Sequence, residues 1–258
     1  MLYVRLYKII QNKARVQKIK RHIFTKSLYF AILMITGRPT RFESLKLRQN
    51  SEFKFMNFYN KYILPKLLNL VMKREKIEKQ RPDVVAEASG VVLEIGFGSG
   101  LNLSYYKNVT KLYALDPSQE LYELAQERIK SVAFPIEQLK ISAEKIPLAN
   151  NSVDSVVSTW SLCSIPRPEV ALREIYRVLK SNGKFTFIEH GKSPKNFVAK
   201  TQSLLAPIWK YFTGGCSLDR EMDKLVGGAG FEIQKLEKFQ QKSRSLVFMY
   251  KGVAVTKK

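Results

Sequence analysis

The residues best suited to chemistry lie in one stretch, Val91-Val92-Leu93-Glu94-Ile95-Gly96-Phe97-Gly98-Ser99-Gly100. An apolar run enters three glycines at alternate positions. Without Cβ atoms the chain can turn sharply there, and a ligand can approach the main chain closely. A helix following the turn would aim its N-terminal amides at that ligand. Asp116 lies 16 residues beyond Gly100, where a second apolar run ends. A carboxylate in that place can accept both hydroxyl hydrogens of a ribose. A plain tight turn explains the glycines separately, and a helix cap before Pro117-Ser118 explains Asp116. Taken together, at this spacing, they point to an adenosine-bearing ligand.

The ligand's other half follows from charge. A dinucleotide fingerprint reads G-x-G-x-x-G and faces a pyrophosphate. Here the spacing is G-x-G-x-G, and Glu94 stands two residues before the first glycine. A carboxylate beside the turn repels pyrophosphate but suits an ammonium group, directly or through water. That favours S-adenosylmethionine (SAM), which carries an amino acid in place of phosphates.

The elements that must position these residues are legible in outline. Short apolar runs at 91–95, 111–115, 136–141, 153–158 and 184–189 read as strands. Helical stretches at 119–129 and 168–179 fall between them, the second opened by Pro168 and stopped by Ser181-Asn182-Gly183. A further helix over 218–226 precedes two closing strands, 232–238 and 245–251. Strands alternating with helices predict an α/β fold, a Rossmann-like doubly wound sheet of seven strands, mostly parallel. The closing pair, joined by about six residues, predicts an antiparallel hairpin at one edge. Upstream, 58–80 reads as one amphipathic helix with Pro65 near its first turn, broken by Pro82 and followed by an Ala88-Ser89-Gly90 turn.

Charge is uneven along the 258 residues. The total is 44 Lys plus Arg against 22 Asp plus Glu, a formal +22. Residues 1–81 hold 20 basic and four acidic residues, so most of the excess sits in the first third. The longest apolar run before residue 56, about 28–36, is far shorter than the ~20 residues that span a bilayer. This extension, 1–55, reads as a basic arm for anionic lipid or nucleic acid, as an organelle-targeting segment, as an upstream extension of a shorter protein beginning at Met56, or as a solvated tail. Such a segment offers little burial to offset its ordering entropy, so disorder or attachment to a membrane surface is expected. The expected location is cytoplasmic, with peripheral membrane association left open. Two cysteines, Cys163 and Cys216, and two histidines, His22 and His190, show no ligand spacing. A disulfide scaffold is excluded and a metal site is not expected.

As a set these motifs resemble the class I SAM-dependent methyltransferases with a type 11 methyltransferase domain, over about residues 56–251. The resemblance implies that Glu94, Gly96, Gly98, Ser99 and Gly100 wrap the methionine part of SAM. It implies that Asp116 binds ribose with Pro117 beside the adenine, and that Ala143 and Glu144 flank the adenine. Thr159 and Trp160 would lie under the methyl donor. A second constellation, Glu189-His190, Thr201-Gln202, Pro207-Ile208-Trp209, Gly214-Gly215-Cys216 and Arg220, resembles the branch of thiol methyltransferases. There, 191–230 would cover the acceptor pocket, and its apolar content suits a lipophilic acceptor. His190 is the candidate general base, since imidazole titrates near neutrality; a local hydrogen-bonding role explains it as well. Cys163 reads as a small buried hydrophobe. The resemblance thus implies methyl transfer to a small molecule, a thiol first. A phospholipid headgroup or quinone at a membrane surface is the second choice. A non-catalytic membrane- or nucleic-acid-binding protein on the same fold is the third. Nucleic acid is disfavoured, because Ser158-Thr159-Trp160-Ser161 stands where base methyltransferases carry Asn-Pro-Pro-Tyr.

Overall fold

The computed structural model describes residues 58–240 and 245–258. The basic extension 1–55, with its apolar run, and the proposed domain start at Met56 therefore lie outside the described residues. A seven-stranded sheet has the order β3-β2-β1-β4-β5-β7-β6. Its strands are β1 (Ser89–Ile95), β2 (Asn108–Leu115), β3 (Ile136–Leu139), β4 (Val153–Thr159), β5 (Leu179–Gly191), β6 (Phe231–Gln240) and β7 (Phe248–Thr256). Strands β1 to β5 pair in parallel, and β7 runs antiparallel to both β5 and β6. This is the expected mostly parallel sheet with an antiparallel C-terminal edge.

The alternation of side chains assigns each strand's residues to two cores. Leu93, Ile95, Leu115, Val156, Phe185 and Phe187 pack on one face with Ala171, Leu172, Ile175 and Val178. Val92, Leu112, Ala114 and Val157 pack on the other with Val85, Phe97, Leu103 and Tyr106. Burial on both faces is what near-continuous apolar strands require. All the parallel strands consequently end on one sheet edge, where open α/β sheets bind ligands.

The helices depart from the sequence reading in instructive ways. The stretch 58–80 is not one helix. A π-helical segment (Tyr59–Ile63) leads into α1 (Leu64–Met72), and α2 (Glu75–Glu78) restarts after Arg74, whose backbone is extended (ψ 134°). Pro82 does not break a helix; it occupies the first turn of α3 (Arg81–Val85), where a missing N–H costs nothing. Ser89 and Gly90 belong to β1, with Gly90 at a positive φ beside a register shift. The stretch 119–129 is divided into α4 (Gln119–Glu123) and α5 (Gln126–Ile129). No long helix follows the glycine turn, only the 3₁₀ turn Leu103–Tyr105. The Asn102 side chain explains this, because it bonds the sheet and draws the chain inward (below). Helix α6 (Pro168–Val178) ends earlier than expected: Leu179 is already extended, and Asn182 takes a left-handed turn within β5. The segment 191–230 contains α7 (Asn196–Phe212), with Pro207 inside it, and α8 (Met222–Gly228). The latter runs later than expected, through Gly227 and Gly228, to Gly230 at φ 96°.

Candidate active site

The three glycines do three different jobs. Gly96 has φ 69°, and a Cβ there would collide with the Ser161 hydroxyl and stand 2.5 Å from Ser161 Cβ. Gly100, at φ 71°, would press a Cβ to 3.1 Å from both Ala125 and Leu103. Gly98, at φ 57°, would meet only the Gly96 carbonyl, at 3.7 Å. The first two glycines fit the turn to its own protein; the third leaves free space above it. That space lies next to Asp116, whose Oδ2 bonds the Gly98 N–H.

Asp116 is buried and grips the turn. Its Oδ2 accepts from Gly98 N at 2.8 Å, and its Oδ1 accepts from Ser118 N at 2.8 Å. Burial raises its pKa, opposed by those two backbone donors. Ser118 is the actual cap of α4, accepting from Leu121 N. Pro117 is exposed beside it. Ser99 is buried; its hydroxyl donates to Asn69 Oδ1 of α1 and its carbonyl accepts from Arg128.

Glu94 points inward rather than into open space. Its Oε1 accepts from Asn102 Nδ2 at 2.8 Å and its Oε2 from the Tyr106 hydroxyl at 2.8 Å. Asn102 Nδ2 also reaches Thr159 Oγ1 at 3.0 Å, and Asn102 Oδ1 accepts from Arg81 Nη1 at 2.7 Å. The Arg81 guanidinium lies 5.0 Å from the centre of the Trp160 ring. Trp160 itself has φ 54°, and its N–H bonds Ile188 O. One network thus links β1, the glycine turn, α3 and the end of β4, through Arg81, Asn102 and Tyr106, none of which the sequence singled out. Their one signal was Asn102, a polar residue between Leu101 and Leu103 just after the glycines.

Burial pushes the Glu94 pKa up to about 7, against the Tyr106 and Asn102 hydrogen bonds and the Arg81 charge. Between its ordinary value of 4.5 and about 7, the folded protein keeps a proton that the unfolded chain has lost. This contribution to stability is therefore full below 4.5 and disappears as pH rises to about 7. The displacement corresponds to about 3 kcal/mol. The urea midpoint should fall between about pH 5 and about pH 7.5, and Glu94→Gln should flatten that slope.

Ala143 and Glu144 are separated in role. Ala143 is buried in the core. Glu144 turns to Arg167, accepting from its backbone N at 2.9 Å and its Nε at 3.2 Å, which holds the carboxyl below its usual range. Their loop is latched by α6: Arg177 donates to the carbonyls of Ile146 and Leu148, and Glu174 accepts from Ile146 N.

At the ends of β4 and β5, Glu189 is fully buried and folds the chain after Thr159 around itself. It accepts from Ser158 Oγ at 2.7 Å and from the backbone N–H groups of Ser161, Leu162 and Cys163. Burial raises its pKa against these donors. His190 does not stand alone at the edge. Its Nδ1 lies 3.2 Å from Cys216 Sγ and 3.6 Å from Cys163 Sγ, and the two sulfurs are 3.5 Å apart. Only Nε2 is left to address an acceptor. Arg220 fastens the same turn from below, donating to the carbonyls of Leu162 and Ile165.

A glycine turn with free space above it, a gripped carboxylate at the next strand, and a seven-stranded sheet define a Rossmann-like SAM-binding enzyme. Residues 93–187 match the Methyltransf_11 family, a methyltransferase domain. A thiol S-methyltransferase of Rattus norvegicus, TMT1B, is 32% identical over 170 residues, covering 64% of this chain and 70% of the relative. The human thiol S-methyltransferase TMT1A is 34% identical over 58% of this chain and 63% of its own. A phosphatidylethanolamine N-methyltransferase of Cereibacter sphaeroides is 28% identical over 45% and 59%. Among solved structures, a SAM-dependent methyltransferase of Aquifex aeolicus superposes with a TM-score of 0.54 at 19% identity, over 74% of this chain and 97% of that one. The chain belongs to the class I SAM-dependent methyltransferases with a type 11 methyltransferase domain, in the branch that resembles the thiol S-methyltransferases.

Proposed function

We propose that this methyltransferase acts on a small, lipophilic thiol. SAM, when bound, supplies an electrophilic methyl group on its sulfonium. Gly96, Gly98 and Gly100 would line its amino-acid end, braced from behind by Glu94 through Asn102 and Tyr106 and by Ser99 through Asn69. Asp116 would take the ribose, Pro117 and the loop that carries Ala143 and Glu144 would border the adenine side, and Thr159 and Trp160 would lie beneath the donor. The chain's own task is then to position the acceptor in line and to take its proton.

The observation that carries the lipophilic acceptor is α7. Its Gln202 is buried and ties the helix to the end of β5, donating to Gly191 O at 3.1 Å and to Leu246 O at 2.8 Å. Gln202 Oε1 accepts from Ser193 N. The outer side carries Phe197, 83% exposed, Leu204, 78% exposed, and Ile208. An apolar helix pinned at Gly191, one residue beyond His190, places greasy surface beside the acceptor end of the sheet and suits a greasy substrate better than a charged one. The thiol preference is supported by the named relatives. Labelled SAM offered with alkyl and aryl thiols, phospholipids, quinols and RNA should label the thiols. Label in RNA alone, or in none with no SAM binding, overturns the reading.

His190→Ala should lower turnover on the thiol by about tenfold to a hundredfold while SAM affinity by calorimetry stays unchanged. Equal turnover from pH 6 to pH 9 would leave His190 without a role in the reaction.

The second reading, a phospholipid headgroup or quinone acceptor at a membrane surface, is favoured by one further feature. Phe58, Tyr62, Leu67 and Leu70 expose apolar surface around α1, directly after the basic extension. Among the described residues no helix is long and apolar enough to cross a membrane. Peripheral attachment through basic residues near anionic lipid is worth roughly 1 kcal/mol per Lys or Arg. A chain starting at Met56 should fold and bind SAM like the full chain, but lose the salt-sensitive part of its binding to phosphatidylserine vesicles. Failure of that shorter chain to bind SAM would place residues 1–55 within the catalytic unit.

A further inference from the structure

We propose that Cys163, His190 and Cys216 form a binding site for a zinc-type soft divalent cation at the acceptor end of the sheet. The three donor atoms converge from three elements: the turn after β4, the end of β5, and the loop after α7. Sulfur to sulfur is 3.5 Å, and the imidazole Nδ1 stands 3.2 and 3.6 Å from the two sulfurs. A tetrahedral ion with bonds of about 2.3 Å to sulfur and about 2.0–2.1 Å to nitrogen needs edges of about 3.8 Å and about 3.5 Å. A few tenths of an ångström of side-chain adjustment makes these triangles coincide.

The donors are held in place before any ion arrives. The Cys163 backbone is fixed twice, its N–H on Glu189 Oε2 at 3.1 Å and its carbonyl accepting from Ser217 N at 2.8 Å. The second bond also fixes the residue after Cys216. Gly215 is what allows this approach, since a Cβ there would stand 3.0 Å from Ser164 O. Both cysteines are buried, and His190 is half-buried. Two thiolates neutralise a divalent ion, so the filled site buries no net charge. Thiolate and imidazole donors select zinc-type ions over magnesium or calcium. A simple disulfide would leave the His190 Nδ1 without a purpose.

Among the described residues no fourth His, Cys, Asp or Glu joins the group. Three protein ligands, with no fourth from the described residues, are the pattern of a catalytic zinc rather than a structural one. With Nδ1 on the ion the ring proton sits on Nε2, so in the ion-bound protein His190 is a ligand and the general-base role belongs to the ion-free protein. Ser161, two residues before Cys163, packs against Gly96, so the site adjoins the SAM turn.

The test uses the reduced full chain and cobalt(II), whose thiolate complexes absorb strongly in the near ultraviolet. One equivalent of cobalt should bind, produce that charge-transfer band, and be displaced by zinc. Cys163→Ser and Cys216→Ser should each abolish the band and weaken cobalt binding by at least about a hundredfold, and His190→Ala should weaken it too. SAM binding by calorimetry identifies variants that remain folded. For any that do not fold, the intact chain answers instead, since zinc should slow the alkylation of both thiols by iodoacetamide during the local openings that expose them. Cobalt uptake well below one equivalent with no band, or unchanged alkylation with zinc present, overturns the proposal. Uptake is read without an acceptor, so failure of the thiol reading and failure of this site give different results.

Discussion

Asp116→Ala should abolish measurable SAM binding while leaving a cooperatively folded protein. Two costs coincide in this one side chain. The first falls on the protein itself: Gly98 N–H and Ser118 N–H lose the oxygens they bond at 2.8 Å. Each such donor left without a partner costs about 1–3 kcal/mol when buried. The glycine turn loosens, and the melting temperature should drop by several degrees. The second cost falls on the ligand. A ribose diol bonded to an ionised acceptor gains about 1.5–3 kcal/mol per hydrogen bond, so losing both bonds weakens affinity by at least about two orders of magnitude. Asp116→Asn separates the two costs. It keeps one acceptor oxygen but must turn an NH₂ toward one of the two backbone donors, and should lose roughly tenfold to a hundredfold. Calorimetry on the three proteins reads the series directly. Near-normal affinity in the alanine variant would mean that the ribose is held elsewhere.

The legibility of this site in the sequence follows the range of the forces involved. The glycine turn and Asp116 were readable because their geometry is local: three positive-φ positions within five residues and one carboxylate at a strand end. The strands were readable because burial on both faces demands runs of Val, Ile, Leu and Phe. What escaped depends on long-range partners. Glu94 reads as a residue facing a ligand, yet its two oxygens are taken by Asn102 and Tyr106. Asn102 is in turn bonded by Arg81, which arrives from a helix that the Pro82 signal seemed to forbid. The helix at 58–80 fails for a similar reason, since the amphipathic stripe is continuous in sequence while Arg74 is extended in space. Cys163, His190 and Cys216 lie 27 and 26 positions apart, and only the end of β5 and the loop after α7 bring them together. No spacing rule reaches that far. Helix α7 was hidden differently. Pro207 lies inside it and much of its apolar surface faces outward, so its pattern resembles neither a core helix nor a loop.

The sharpest contrast expected of this molecule is between two glycines two residues apart. Gly96→Ala should damage the fold, because its methyl group would overlap the Ser161 hydroxyl and press on Ser161 Cβ at 2.5 Å. The backbone there is also left-handed, at φ 69°, which costs a non-glycine residue about 1–2 kcal/mol. Overpacking adds about 1–3 kcal/mol, so a total of about 2–5 kcal/mol would remove much of the stability of a typical domain. Gly98→Ala pays only the left-handed backbone term, since nothing but the Gly96 carbonyl stands within 4 Å of the new methyl group. Its stability loss should stay near 1–2 kcal/mol, yet SAM affinity should collapse, because the methyl group projects into the space the ligand needs. Ser161→Gly provides the internal control. It deletes the atoms that Gly96→Ala collides with, so the double variant should recover the overpacking part of the loss, about 1–3 kcal/mol, and leave the backbone part. The same replacement in Gly98→Ala should recover nothing. Urea denaturation of the six proteins, with SAM calorimetry on those that fold, measures both terms. Equal stability losses at Gly96 and Gly98, or no rescue by Ser161→Gly, would mean that the turn does not pack against the end of β4. An undiminished SAM affinity in Gly98→Ala would move the methionine end of the ligand away from the open side of the turn.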